Sequence, residues 1–436
     1  MRVDQTEGEN TVARETAFTM DTSSIKFGAG VTREVGHDMR RLGARRVMVV
    51  TDPRLSSSPA VETAIGALRD AGVEPVLYDR ARVEPTDESF KDAIQFATDG
   101  AFDGFVAIGG GSSIDTAKAA NLYATHPAEL LTYVNPPIGQ GTPVPGPLKP
   151  LIAIPTTAGT GSETTGVAIF DLIKMHAKTG IAHRALRPSL GIIDPDNTRS
   201  MPPMVAACSA LDVLSHAVES LTATPYHQRD EPPSPEYRPA YQGSNPISDI
   251  WAARAIEMMA RNIDEAVFNP ENDEARSEMM LAAAYAGIGF GNAGVHLPHG
   301  MSYPVSGMVR SYVPDGYPPD KPIVPHGMSV ILNAPAVFRF TAPAAPQRHK
   351  WASTLLGYPL ETDDPEEIGE GLAAATIDVM KRVNMPNGLS AVGFTEADVD
   401  DLVNGTIPQE RVTKLSPRPA SPDDLRRLFL DAMSYW

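Results

Sequence analysis

The chain has 436 residues, and its 37 Lys plus Arg against 54 Asp plus Glu leave a formal charge of −17, which argues against a nucleic-acid partner. At roughly 150 residues per domain the length predicts two or three domains, and 42% hydrophobic residues suit a packed core rather than a disordered chain. The only cysteine, Cys208, excludes an intramolecular disulfide and any cysteine-based zinc or iron–sulfur site, so a metal would need His and carboxylate ligands.

The opening segment MRVDQTEGENTVARETAFTM lacks the apolar core of a signal peptide. No window reaches the ~18 uninterrupted apolar residues of a membrane span. Asp4, Glu7, Glu9 and Glu15 argue against a mitochondrial presequence. The expectation is a cytoplasmic enzyme with no membrane partner and a loose tail over residues 1–21.

From about residue 45 short β-branched runs alternate with amphipathic stretches: RRVMVVTD, helical ETAIGALRDAG, EPVLYD, helical SFKDAIQFATD, then FDGFVAIGG. Strand-length apolar runs separated by helices predict βαβ units and a mostly parallel, Rossmann-like sheet. VNPPIGQGTPVPGPLKP reads as a Pro/Gly-rich loop, and LIAIPTT and LGIIDP as further strands. After Pro195 long helical patterns such as ISDIWAARAIEMMARNIDEAVFN take over, which places a boundary near residue 196. The expected domains are 22–195, α/β and nucleotide-binding, and 196–436, all-α and metal-binding. Residues 225–246 and 303–325 read as irregular insertions, and the site is expected between the halves.

In FVAIGGGSSIDTAKAANLYA, Gly109, Gly110 and Gly111 fall between a buried strand and a helix that Ser112 or Ser113 could cap. Unpaired N–H groups and the positive end of the helix dipole then converge on one spot, suited to a pyrophosphate. The run is neither G-x-G-x-x-G nor a P-loop, so the alternative is a tight βα corner. Asp115 adds a polar handle, with Lys118 as its charge partner. Asp52, at the end of VMVVTD, is placed to accept ribose hydroxyls and favour NAD over NADP, or else caps a turn before Pro53. Thr156, Thr157, Thr160 and Ser162 in PTTAGTGSETT offer hydroxyls and amides for a nucleotide, or else belong to a Ser/Thr/Gly loop without a ligand.

In LDVLSHAVES, Asp212 and His216 stand four apart on one helix face, about 6 Å along the axis, as half of a metal site or, taken singly, a salt bridge or core hydrogen bond. His299 and His326, each in a Pro-His-Gly corner, supply the other half, with His296 as the competing ligand. Three His plus one Asp suit Zn²⁺ or Fe²⁺. A Lewis acid facing a nucleotide site across a cleft implies hydride transfer between an alcohol and a nicotinamide, with no covalent nucleophile. Cys208 is then structural.

With GGGSSIDTAK, PTTAGTGSE, ALDVLSHAVES, HGMSYP and PHG in this order, the chain resembles the iron-containing (group III) alcohol dehydrogenases over residues 22–436. PAYQGSNPISDIWA, GIGFGNAGVHLPHGMSYPVSG and GTIPQERVTKL narrow the resemblance to a transhydrogenase subgroup. It implies a dehydroquinate-synthase-like fold and a homo-oligomer. The implied metal ligands are Asp212, His216, His299 and His326. The implied dinucleotide contacts are Asp52, Gly109, Gly110, Gly111, Ser112, Asp115, Thr156, Thr157 and Lys178.

Ordinary members carry a second His where this chain has Tyr303, and their insertion before His326 is shorter. Both departures point away from simple alcohol turnover and make Tyr303 a further catalytic candidate. The subgroup implies hydride transfer from 4-hydroxybutyrate or a related hydroxy acid, through retained NAD, to 2-oxoglutarate, giving 2-hydroxyglutarate. These acids require local positive charge against an overall −17, and Arg411, Lys414 and Arg238 are the candidates for it, with a surface salt bridge as the alternative for each. The competing readings are a dehydrogenase that releases NADH, a lyase on the same scaffold, and a non-catalytic metal- or nucleotide-binding sensor.

Overall fold

The structure, a computed structural model, describes residues 13–436 apart from 176 and 320. Its first half is built on eight strands: β1 (Ser24–Phe27), β2 (Arg46–Val50), β3 (Glu74–Tyr78), β4 (Gly104–Gly109), β5 (Leu151–Pro155), β6 (Val167–Leu172), β7 (Ala177–Ala182) and β8 (Leu190–Ile193). Six of them form one parallel sheet in the order β1-β8-β5-β4-β2-β3. Helices α1 (Val35–Arg41), α2 (Pro59–Asp70), α3 (Asp87–Gly100) and α4 (Gly111–Thr125) connect and cover the strands.

Alternation along β2 explains the layering. Val47 and Val49 pack with Val61, Ala64 and Leu68 of α2, whereas Met48 and Val50 pack with Ala93 and Ala97 of α3 and Ile114 and Ala117 of α4. Because both faces are covered, β4 and β5 are wholly buried and read as unbroken apolar runs. The chain leaves β2 toward β3 on one side and β4 toward β5 on the other, so a crevice opens beyond the carboxyl ends of β2 and β4. Strands β6 and β7 form a separate antiparallel hairpin, which the sequence reading did not anticipate.

Among the described residues no strand follows β8. The helical half centres on α5 (Pro203–Thr222), packed against α6 (Pro246–Phe268) and α7 (Asp273–Ala293), with α8 (Leu297–Gly307) and α9 (His326–Ile331) closing over it. By length and composition α5 could pass for a membrane span, but 83% of its apolar window is buried inside the protein.

Two expectations are corrected. The tail is not loose to residue 21: Glu15 N–H donates to Arg229 O (2.9 Å), Thr19 N–H to Gln242 Oε1 (2.8 Å) and Asp21 N–H to Asn292 Oδ1 (3.0 Å). Residues 1–12 of that expected tail lie outside the described residues. The second insertion does not begin at residue 303, because α8 runs to Gly307 with Pro304 inside it.

Candidate active site

Every residue of α5 from Ala206 to Thr222 except Ser209 is buried. Its helical period brings Asp212, His216 and Glu219 to one face. α8 starts with Pro298 in its first turn, which needs no N–H donor there, and presents His299. α9 begins at His326. Gly327 follows, and a Cβ on it would stand 2.1 Å from Cys208 O on α5. Glycine therefore permits close approach of helix to helix, and this brings His326 to Asp212.

The four side chains meet. Their ligating atoms all lie within 4.8 Å of one another. Asp212 Oδ1 is 3.7 Å from Nε2 of His216, 3.7 Å from that of His299 and 3.8 Å from that of His326. An ion ~2.1 Å from each of four tetrahedral ligands would separate them by about 3.4 Å. Asp212 Oδ1 and His299 Nε2 are buried without a hydrogen-bond partner, so both lone pairs face the common point. Burial pushes the Asp212 carboxyl up to about 7 and the His326 imidazole down to about 3. Burial opposes charge on His299, but the Glu219 carboxylate beside it raises that imidazole above its ordinary range, so a cation bound there would displace a proton.

His296, the competing ligand, is turned away: its Nε2 pairs with Thr222 Oγ1 at 2.9 Å. Cys208 is buried on the same helix, and burial raises its thiol to about 12, in keeping with a structural role.

On the sheet side, one cavity is lined by Asp52, Gly110, Gly111, Ser112, Thr156 and Thr157, at the crevice beyond β2 and β4. The cap of α4 is Gly110, not Ser112 or Ser113, and no side chain caps the helix. The Ser113 N–H donates to Gly110 O (3.1 Å), which leaves the N–H groups of Gly111 and Ser112 at the helix start to face an anion. Gly109 closes the strand at φ +153°, where a Cβ would meet Ser113 Oγ at 2.5 Å. Asp52 lines this cavity, and its Oδ1 accepts the N–H groups of Arg54 (2.9 Å) and Leu55 (3.3 Å), the turn cap that was its alternative role.

A second cavity adjoins the first and shares Glu84, Gly111, Ser112, Thr160, Asp212 and His326 with it. Asp115 and Lys178, expected at the nucleotide, line this second cavity. The Asp115 carboxylate accepts from Ser162 Oγ (2.6 Å) and Ile169 N–H (2.9 Å) and pairs with the buried Lys118 (3.5 Å). Lys178, carried on the hairpin, pairs with Glu84 and with Asp171 (3.3 Å). Burial opposes its charge, yet the two carboxylates prevail and hold the ammonium above its ordinary range. Both side chains are therefore spoken for by buried ionic networks.

Of the three expected carboxylate-binding residues only Arg411 reaches the second cavity, together with Tyr303. Arg238 is bound to Glu15, Nε to Oε2 at 2.9 Å, because the ordered tail supplies it a carboxylate. Lys414 lines a different pocket with Leu297, Thr406 and Pro422.

Sequence reasoning missed Glu219, Glu84, Tyr241 and Phe290. The signal for Glu219 was present, since it follows His216 by three residues on the same helix face. Its Oε1 lies 2.6 Å from His299 Nδ1. Phe290 stacks on the His216 ring at 3.9 Å and 8°, and Glu84 takes φ 54°, unusual for a non-glycine residue; neither carries a local signal.

Residues 22–195 match the family described as iron-containing alcohol dehydrogenase, and residues 240–433 match the Fe-containing alcohol dehydrogenase family, C-terminal. The chain is 54% identical over 422 residues to hydroxyacid-oxoacid transhydrogenase, mitochondrial, of Bos taurus, covering 96% of this chain and 91% of the relative. For the Homo sapiens protein of that name the figures are 54%, 96% and 90%. Among solved structures, 1,3-propanediol oxidoreductase superposes with TM-score 0.83 at 26% identity, over 96% of this chain and all of that one (100%). Sulfoacetaldehyde reductase from Bifidobacterium kashiwanohense, in complex with NAD⁺, gives 0.78 at 25% identity, over 97% and 100%.

The Bos taurus and Homo sapiens relatives correct the cytoplasmic expectation, because both are named as mitochondrial. Of the acids held against a presequence, Asp4, Glu7 and Glu9 lie outside the described residues, and Glu15 serves the fold by binding Arg238. Parallel sheet, helical half and both family matches agree: this chain is an oxidoreductase and belongs to the iron-containing alcohol dehydrogenase family.

Proposed function

We propose that the chain transfers hydride from a hydroxy acid such as 4-hydroxybutyrate, through retained NAD, to 2-oxoglutarate, forming 2-hydroxyglutarate. The observation that carries hydride transfer is that Asp212 and His326 line both cavities. Reacting groups placed in the two cavities would meet beside the same four ligands. The choice of acids rests on 54% identity, over nearly the whole chain, to enzymes named for that reaction.

In this reading Asp212, His216, His299 and His326 hold one divalent ion, Fe²⁺ or Zn²⁺, which supplies a Lewis acid to the reacting oxygen. Glu219 keeps His299 in the ligating tautomer. The open N–H groups of α4, with Thr156 and Thr157, hold the pyrophosphate of NAD, and Asp52 accepts from the ribose. The division near residue 196 puts the nucleotide on the sheet and the ion on the helices. The hydroxy acid loses a hydride and a proton, 2-oxoglutarate gains both, and no external oxidant is consumed. Small acids are its partners, and a homo-oligomer is expected, to be checked by light scattering.

The test is to incubate the purified protein with 4-hydroxybutyrate and 2-oxoglutarate without added nucleotide. Formation of 2-hydroxyglutarate supports the reading. Turnover only with added NAD⁺, releasing NADH, would replace it with the conventional dehydrogenase.

A further inference from the structure

The cations at the second cavity are not equally committed to carboxylates. Lys178 faces Glu84 and Asp171, and Lys118 faces Asp115. Arg411 lines the same cavity and, among the described residues, has no carboxylate within ion-pair distance. Its Nη2 donates to Tyr303 Oη at 3.1 Å, and its Cζ lies 5.2 Å from the centre of the Tyr241 ring. Its Nη1 is shut off from solvent and has no hydrogen-bond partner. A guanidinium oriented by one tyrosine and backed by another, with donors to spare, is built to take a planar anion through paired N–H groups.

The position of Tyr303 sets a length. It follows His299 by one turn of α8, about 6 Å along the axis, on the same face. In 4-hydroxybutyrate the carboxylate carbon is three bonds from the carbinol carbon. In 2-oxoglutarate the distal carboxylate carbon is also three bonds from the keto carbon. At ~1.5 Å per carbon–carbon bond both span about 4 Å when extended, and an oxygen at each end extends the reach to the scale of one helical turn.

We propose that Arg411, held by Tyr303 and Tyr241, is a single receptor for the carboxylate three bonds from the carbon that gives or takes the hydride, and that both substrates use it in turn. This rests on the proposed transhydrogenase reading and deepens it. Two acids that need one guanidinium cannot be bound together, so each excludes the other from the same enzyme form. Tyr303 and Tyr241 are positioning residues, acting through Arg411.

The experiment compares wild type, Arg411→Gln and Arg411→Lys on 4-hydroxybutyrate, 3-hydroxypropionate and the uncharged 1,4-butanediol, with metal and nucleotide content measured for each. Arg411→Gln is expected to lower kcat/KM for 4-hydroxybutyrate and for 2-oxoglutarate by roughly 10- to 100-fold each, as for a lost hydrogen bond to a charged group. Reduction of the bound nucleotide by 1,4-butanediol in a single half-turnover, which needs no second acid, should change little, metal and nucleotide content should be retained, and Arg411→Lys should recover part of the loss. Wild type should favour 4-hydroxybutyrate over the shorter acid.

If Arg411→Gln does not fold, Tyr303→Phe keeps the ring and removes the oxygen that holds Nη2, and should raise KM for both acids. Unchanged acid-over-diol preference in whichever variant folds overturns the clamp. Wild type that makes no 2-hydroxyglutarate from the pair overturns the underlying reading instead. In that case loss of 4-hydroxybutyrate binding in Arg411→Gln, read by calorimetry, still decides the clamp.

Discussion

Nδ1 of His299 lies 2.6 Å from Oε1 of Glu219, and the other oxygen of that carboxylate accepts the backbone N–H of His296 at 2.6 Å. One buried carboxylate on α5 thus fixes the start of α8 and the tautomer of its histidine. Nε2 of His299 is left as a lone pair facing Asp212. Replacing Glu219 with Gln should weaken metal binding by about 10- to 100-fold. Competition against graded chelator would show this, with activity regained at higher metal. Equal affinity in the two proteins would refute the assignment.

Stripping the ion should abolish turnover, and Fe²⁺ or Zn²⁺ should restore it to wild type but not to Asp212→Asn. Because Asp212 Oδ1 is near all three Nε2 atoms, the variant loses the common point of the cluster. A loss of about three orders of magnitude in kcat corresponds to the several kcal/mol a Lewis acid supplies. Elemental analysis beside the activity assay checks both halves.

Gly327→Ala puts a methyl 2.1 Å from Cys208 O and 2.9 Å from Asp212 Cβ. The helices must part, at about 1–3 kcal/mol, and His326 should withdraw from the cluster. Both a lower urea midpoint and a lower metal content are expected. Gly307→Ala is the control, since nothing lies within 4 Å of its Cβ.

Lys178→Met leaves the partly buried Glu84 and Asp171 without their cation and should destabilise by about 1–3 kcal/mol. Adding Glu84→Gln should cost less than the sum of the two single changes. Urea unfolding of all three variants measures the coupling, and strict additivity would refute the network.

Acid should act through His349, which is buried with Nδ1 2.8 Å from Ala345 O and Nε2 2.8 Å from Thr341 Oγ1. Burial lowers its pKa from 6.5 to about 4. The unfolded chain then binds a proton that the folded one refuses, so this contribution is full above pH 6.5 and is lost as pH falls toward 4. It amounts to about 3 kcal/mol at most. His349→Gln should flatten the slope of urea stability between those two pH values.

The sequence by itself determined what depends on near neighbours in the chain. Val47 to Val50 read as a buried strand because each face of the pleat meets a helix layer. Asp212 and His216 were legible because one helical turn joins them, and Gly109 to Ser112 because a strand ends there and a helix begins. Only the tertiary structure decided the rest. Arg411 meets Tyr303 across 108 positions, whereas Arg238 meets Glu15 across 223, and nothing local to either arginine distinguishes them. The hairpin likewise sets Lys178 against Glu84. A charged side chain is committed by the partner that remains once water is removed, and for these residues that partner lies far along the chain.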